Sequence, residues 1–316
     1  MLRTPLLYLS NAHWARTLVT RLGFARRTAN RFVAGESADD AIAAIQALNA
    51  QDINATLDHL GESVNTEAEA QHAADSYVTV LEETQKHKVC SNVSIKLTQF
   101  GLDLGEDLCA SNVRRVVEAA RRLDNFVRID MEGSAYTDRT LAIFRTLHQD
   151  FENVGIVVQA YLYRTEADLQ GLIASGARVR LCKGAYQEPP EKAFPVKADV
   201  DANYFKLAKM LLDAARQGPP AGGGGRFPPM PALATHDEKL VAHLEAYIDE
   251  IGLPREYFEF QMLFGIRRDL QQRLAAGGRA VRVYVPYGTE WYPYFMRRLA
   301  ERPANLWFFL SNLVKR

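Results

Sequence analysis

Few features of this 316-residue chain place it in a specialised class. It has three cysteines, Cys90, Cys109 and Cys182, and no two of them form a C-x-x-C pair. So sparse and odd a set offers neither a disulfide framework nor a zinc ribbon, and fits a reducing, cytoplasmic setting. There is no excess of charge: 38 Lys+Arg balance 38 Asp+Glu, so no overall field recruits nucleic acid. No apolar run approaches the roughly 20 residues needed to span a bilayer. There is no G-x-G-x-x-G fingerprint. The densest glycine run, Gly222 to Gly225, follows a helical stretch and leads to Phe227, so no Rossmann site is readable. H-x-H and H-E-x-x-H are also missing. Asp130, Glu132, His236 and Asp237 are the groups a metal would use, and their spacing matches no metal motif, so no metal is expected.

What the chain does have is apolar residues, 47% of its length, enough for a large core. They fall into short β-branched runs alternating with helical stretches. Strands are predicted at Asn54–His59, Asn92–Leu97, Phe126–Met131, Gly155–Gln159, Arg178–Cys182, Ala232–Thr235, Tyr257–Met262 and Val281–Val285. Helices are predicted at Thr66–Lys88, Asp107–Leu123, Asp138–His148, Glu166–Ser175, Asn203–Gln217, Glu238–Ile251 and Arg267–Ala276, and after Gly288. Eight strand–helix units in about 250 residues are the content of a (β/α)8 TIM-type barrel of the α/β class. No linker divides the alternation. Residues 51–316 are therefore read as one barrel domain, and residues 1–50 as extra N-terminal helices packed on it. The Pro219 to Pro229 segment, rich in Gly and Pro, is read as a flexible connection.

Function in such barrels sits at the C-terminal ends of the strands. Nearly every predicted strand here ends in a group able to do chemistry: Lys96, Asp130, Gln159, Arg180 with Lys183, Thr235-His236-Asp237-Glu238, Gln261-Met-Leu263 and Tyr284. Charged residues do not enter a barrel core singly without partners, so a ring of them at one end marks a site. Arg180, Lys183, Lys96, Arg297 and Arg298 give that mouth a positive excess suited to phosphates and a carboxylate. In the last helix Tyr294, Arg297, Arg298 and Glu301 share one face at i, i+3, i+4 and i+7, beside an apolar stripe of Trp291, Phe295 and Leu299. Paired guanidiniums grip a carboxylate through parallel hydrogen bonds. The alternatives open at this point are an aldolase-like barrel with a Schiff base on Lys96 or Lys183, and a non-catalytic barrel that only binds a small molecule.

The chain resembles the proline dehydrogenases, in the short bacterial monofunctional form, over essentially its whole length. The resemblance is carried by Val-Ser-Ile-Lys96-Leu, Val-Arg-Ile-Asp130-Met131-Glu, Val-Val-Gln159-Ala-Tyr and Val-Arg180-Leu-Cys-Lys183-Gly-Ala-Tyr186. It continues in Ala-Thr235-His236-Asp, Phe-Gln261-Met-Leu263 and the Tyr284 to Glu301 segment. It departs from the larger bifunctional relatives at Gln187, where they carry Trp. The resemblance implies FAD held without a Rossmann domain, oxidation of L-proline to 1-pyrroline-5-carboxylate, and electrons passed to a membrane quinone.

By the same resemblance, Lys96, Arg297 and Arg298 would meet the substrate carboxylate, with Leu263 and Tyr284 against the ring. Asp130 and Arg180 would be the catalytic pair, Asp130 orienting Lys96 or Arg298. Met131, Gln159, Arg180, Lys183, Gly184, Ala185, Thr235 and His236 would contact the cofactor. Glu62 and Arg297 would form a gate across the mouth. The first 35 residues hold six arginines and no acid, so this helical segment is also a candidate for peripheral contact with anionic lipid at the inner face of the membrane.

Overall fold

The structure, a computed structural model, describes residues 29–61 and 64–301, with side chains up to residue 296. Strands β1 (Asn54–His59), β2 (Ser91–Ile95), β3 (Val127–Ile129), β4 (Val154–Gln159), β5 (Arg178–Cys182), β6 (Pro231–Ala234), β7 (Glu259–Leu263) and β8 (Val281–Tyr287) close into one parallel barrel in sequence order. Closure comes from β8 beside β1, in register from Asn54 opposite Arg282 to His59 opposite Tyr287. Helix α1 (Ala38–Asn49) precedes the barrel and buries Ala41, Ile42 and Ile45 in its core. The outer ring is α2 (Glu67–Lys86), α3 (Glu106–Arg122), α4 (Thr137–Asp150), α5 (Thr165–Ala174), α6 (Lys197–Ala214), α7 (Glu238–Glu250), α8 (Arg268–Ala276) and α9 (Trp291–Glu301). Residues 1–28, with five of the six N-terminal arginines, and Glu62 lie outside the described residues.

All eight predicted strands are present, with shifted ends. β2 stops at Ile95 because Leu97–Phe100 tightens into a 3-10 turn after Lys96. Helix α6 begins at Lys197, six residues ahead of expectation. Its first two turns are polar and largely exposed, so apolar periodicity starts only at Tyr204. Helix starts are fixed by local chemistry: Ser37 and Asp40 form a capping box for α1, and the Thr66 hydroxyl accepts from Glu69 N–H at 3.2 Å on α2.

Period-two alternation divides each strand between two environments. Leu57, Val93, Ile95, Ile129, Ile156, Leu181, Leu233, Phe260 and Val283 join the helices in one apolar cluster. The alternate residues fill the barrel with polar and charged groups. Arg282 donates to Glu259 from Nε at 2.9 Å and from Nη2 at 3.0 Å, and from Nη1 to Asn92 Oδ1 at 2.9 Å and Ala55 O at 2.7 Å. Arg128 is also fully buried, its guanidinium over the Phe126 ring and bonded to the carbonyls of Ile156 and Arg178. Gly155 makes room for it: a Cβ there would lie 2.6 Å from Arg128 Nη1 and 2.5 Å from the Arg178 carbonyl.

The segment from Pro219 to Pro229 corrects the sequence reading. It is a stopper on the N-terminal end of the barrel, not a slack connection. Gly222 and Phe227 bridge each other at 3.0 and 3.1 Å, and Phe227 packs 6.0 Å from Phe126. Arg282 reaches the Gly225 carbonyl from inside at 2.8 Å, and Arg178 donates to Pro220 O at 2.7 Å. Tertiary hydrogen bonds, not composition, give this segment its shape.

Candidate active site

At the C-terminal mouth, residues from six strands meet. Lys96 follows β2 and donates to both carboxylate oxygens of Asp58, on β1, at 2.9 Å each. Asp58 is fully buried and Lys96 is 8% exposed, so the pair is screened from water and its attraction is strong. Lys96 also lies 3.5 Å from the Tyr284 hydroxyl of β8. That hydroxyl donates to Asp130 Oδ2, after β3, at 2.9 Å. Asp130 Oδ1 in turn accepts from Arg180 of β5. Arg180 also donates to Ser94 Oγ at 3.1 Å and Gln261 Oε1 at 3.3 Å, with its guanidinium 5.2 Å from the Tyr284 ring centre. Burial, then the charges of Asp130 and Asp58, push the Tyr284 phenol well above its ordinary pKa, so it remains a donor.

This arrangement revises two expectations. Asp58, which sequence reasoning missed, is the carboxylate on Lys96, whereas Asp130 pairs with Arg180; the side chain of Arg298, its other expected partner, lies outside the described residues. The signal for Asp58 was nonetheless present, because Thr56 and Asp58 alternate with Ala55 and Leu57 on β1. Nor is the positive excess at the mouth left bare. Lys183 sits between Asp201 at 2.5 Å and Asp237 at 2.9 Å, and Lys197 pairs with the same two acids. Burial opposes ionisation of Asp237, yet Lys183 and Lys197 hold its carboxyl well below the usual range.

The residues expected around a cofactor flank this cluster. Gln159, at the end of β4, donates to the Met131 carbonyl at 3.2 Å, and its buried Oε1 has no hydrogen-bond partner among the described residues. Gly184 adopts φ +117, and a Cβ there would come 2.4 Å from the Tyr161 ring, so only glycine lets this backbone lie so close. Ala185 follows it. His236 Nε2 accepts from Leu263 N–H at 2.9 Å, which fixes the imidazole proton on Nδ1. Asp237 N–H bonds to the Thr235 hydroxyl at 3.2 Å. An acceptor without a donor, a buried guanidinium and a close-approach glycine around one mouth fit the polar edge of a planar cofactor.

Helix α9 approaches from β8. Trp291, Tyr292, Tyr294, Phe295 and Met296 bury against Phe32, Leu60 and Ile266, with Leu263 at the edge. Tyr294, expected on the arginine face, is only 6% exposed. Arg297 and Arg298 lie on the described backbone of α9, but their side chains, like the proposed gate partner Glu62, lie outside the described residues. Asp130 and Asp237 are engaged by cations, and Glu132 accepts from Thr98 N–H at 3.1 Å and Oγ1 at 2.7 Å. Among the described residues no group of three His, Cys, Asp or Glu is placed to hold a metal, and no helix is long and apolar enough to cross a membrane.

A closed (β/α)8 barrel with a water-poor set of linked ion pairs at its C-terminal mouth has the architecture of a barrel enzyme. The family model described as proline dehydrogenase matches residues 41–310. The chain is 39% identical to proline dehydrogenase 1 of Bacillus subtilis strain 168, across 100% of both sequences. It is 42% identical to the proline dehydrogenase of Deinococcus radiodurans, over 91% of this chain and 90% of that one. Among solved structures, proline utilization A (PutA) from Bdellovibrio bacteriovorus, inactivated by N-propargylglycine, matches with a TM-score of 0.79 and 26% identity. That match covers 91% of this chain and 34% of the longer one. The chain belongs to the proline dehydrogenase family, in the bacterial monofunctional form.

Proposed function

We propose that this protein oxidises L-proline to 1-pyrroline-5-carboxylate, holding FAD at the barrel mouth and delivering the electrons to a membrane quinone. The observation that carries the reading is the linked set Asp58, Lys96, Tyr284, Asp130 and Arg180, gathered at that mouth with Asp58, Lys96 and Arg180 buried, in a chain of this family. FAD, when bound, supplies the hydride acceptor. Gln159, Gly184, Ala185, Thr235, His236 and the Met131 backbone are the groups that would hold it, with Lys183 turned toward its anionic part.

The remaining steps belong to the chain's own residues. Lys96, with Arg297 and Arg298 from α9, meets the substrate carboxylate. Leu263 and the Tyr284 ring pack on the methylenes and orient the ring. The imino acid must lose its nitrogen proton before hydride can leave the adjacent carbon, and a cationic pocket favours the neutral amine. Arg180, held by Asp130, Ser94 and Gln261, would stabilise the negative charge that the cofactor gains when it accepts the hydride. Glu62 and Arg297 would close the mouth and exclude water. The test is product chemistry: incubation with L-proline and an artificial electron acceptor should yield a cyclic imine, trapped and identified by mass. Absence of that imine, or release of a cleaved carbonyl fragment instead, would overturn the assignment.

A further inference from the structure

We propose that Asp58 is a positioning residue of the reaction: it holds Lys96 charged and aimed at the substrate carboxylate. The inference rests on the reading that Lys96 meets that carboxylate. Three observations carry it. Both Asp58 oxygens accept from Lys96 Nζ at 2.9 Å, so the ammonium is fixed in direction as well as in charge. Asp58 is fully buried and sits on β1 one residue before the strand's C-terminal end. The pair lies at the mouth and not in the layer of Arg282 and Glu259 toward the N-terminal end of the barrel.

A purely architectural pair is a weak explanation at this place. A buried ion pair is often no more stabilising than well-packed apolar residues of similar size. Two charges kept at the functional face therefore need another use, and an ammonium presented to an incoming anion is one. The anion meets a lysine whose orientation is already set, so little ordering remains on binding. Asp58 is itself braced. The Tyr77 hydroxyl of α2 lies 3.4 Å from Oδ1 and donates to the Ser94 carbonyl at 2.8 Å.

The groups facing this pair allow a clean pH test. Burial, with the Asp58 charge, raises the phenols of Tyr77, Tyr284 and Tyr287 above their ordinary pKa. Burial lowers His59, which therefore stays neutral above pH 6.5. Asp130 and Arg180 form their own pair across Tyr284. Among the described residues, Lys96 is the cation in direct contact with Asp58, at 2.9 Å. Removing the opposite charge from a desolvated ammonium favours its neutral form, so its positive charge is lost at lower pH.

The probe is cyclopentanecarboxylate, which has the shape and carboxylate of proline but no amine to titrate or oxidise. Calorimetric titration of the holoenzyme over roughly pH 7 to 9.5 stays below the ordinary lysine pKa of about 10.4. The parent should bind with an affinity that is flat across this window. Asp58→Asn should lose affinity on the order of tenfold, and the loss should grow as pH rises. Asp58→Glu, which keeps the charge, should restore the flat profile, and this arm stands even if Asp58→Asn does not fold. Adding Asp58→Asn to Lys96→Met should change affinity no further. Parent-like affinity and pH profile in Asp58→Asn would overturn the assignment, as would an equal loss in the Lys96→Met background or a pH-dependent profile in Asp58→Glu. A parent that does not bind the acid at all would instead overturn the reading of Lys96 beneath it.

Discussion

The Tyr284 hydroxyl donates to Asp130 Oδ2 at 2.9 Å, spanning the barrel interior from β8 to β3. Its oxygen also lies 3.5 Å from Lys96 Nζ, so this one hydroxyl stands between the pairs Asp58–Lys96 and Asp130–Arg180. The two ion pairs are thereby one unit. Tyr284→Phe would keep the ring and break that link, leaving a partly buried carboxylate oxygen short of a donor at a cost of about 1–3 kcal/mol. Steady-state kinetics should show kcat/KM for proline reduced by roughly ten- to a hundredfold, with cofactor content near that of the parent. Parent-like kcat/KM would show that the two pairs act separately.

Arg180→Met addresses the negative charge that the hydride acceptor gains. Loss of one preorganised electrostatic donor costs on the order of 100- to 1,000-fold in rate, and here it also leaves Asp130 without its guanidinium. The expected outcome is a larger fall in kcat than in bound cofactor, measured by absorbance per mole of protein. Near-normal turnover would remove Arg180 from the reacting edge.

Lower in the barrel, Arg282 and Glu259 are an architectural pair, each side chain about 1% exposed. Arg282→Met should destabilise the fold by about 3–5 kcal/mol, because Glu259 is left buried and uncompensated. Pairing it with Glu259→Gln should recover part of that loss, which thermal unfolding of the single and double variants would measure. Equal melting temperatures for the parent and Arg282→Met would contradict this role.

How much of this was legible beforehand depended on where the determinant lay. β4, Val154 to Gln159, carries the β-branched run Ile156 to Val158, and its place follows from that pattern. Helix α6 begins earlier than its apolar periodicity because Lys197, Asp199 and Asp201 supply two polar turns. The Pro219–Pro229 segment reads as slack in composition, and only carbonyls reached by Arg178 and Arg282 from distant strands give it shape. Strand-end chemistry marked Lys96, Asp130, Arg180 and Tyr284 as candidates but not Asp58, and the pairing of Lys96 with Asp58 and of Arg180 with Asp130 depends on barrel register between strands.

Cys109 gives a pH prediction. Its thiol is fully buried, and burial with the nearby Glu132 charge pushes its pKa from 9.0 up to about 12. A folded-state pKa raised in this way contributes stability that is complete below about pH 9 and is lost as pH rises toward 12. Denaturant titrations at about pH 8 and pH 11 should show the parent losing stability, with Cys109→Ala losing about 2 kcal/mol less. Identical losses in the two proteins would mean that the thiol ionises without unfolding the chain.

The central claim is tested most directly by anaerobic mixing of the purified protein with L-proline while its visible spectrum is followed. The account predicts a yellow protein whose flavin absorbance bleaches on mixing, at a rate that saturates with proline concentration. A colourless protein inactivated by borohydride with a carbonyl substrate, or a yellow one that proline does not bleach, would contradict it.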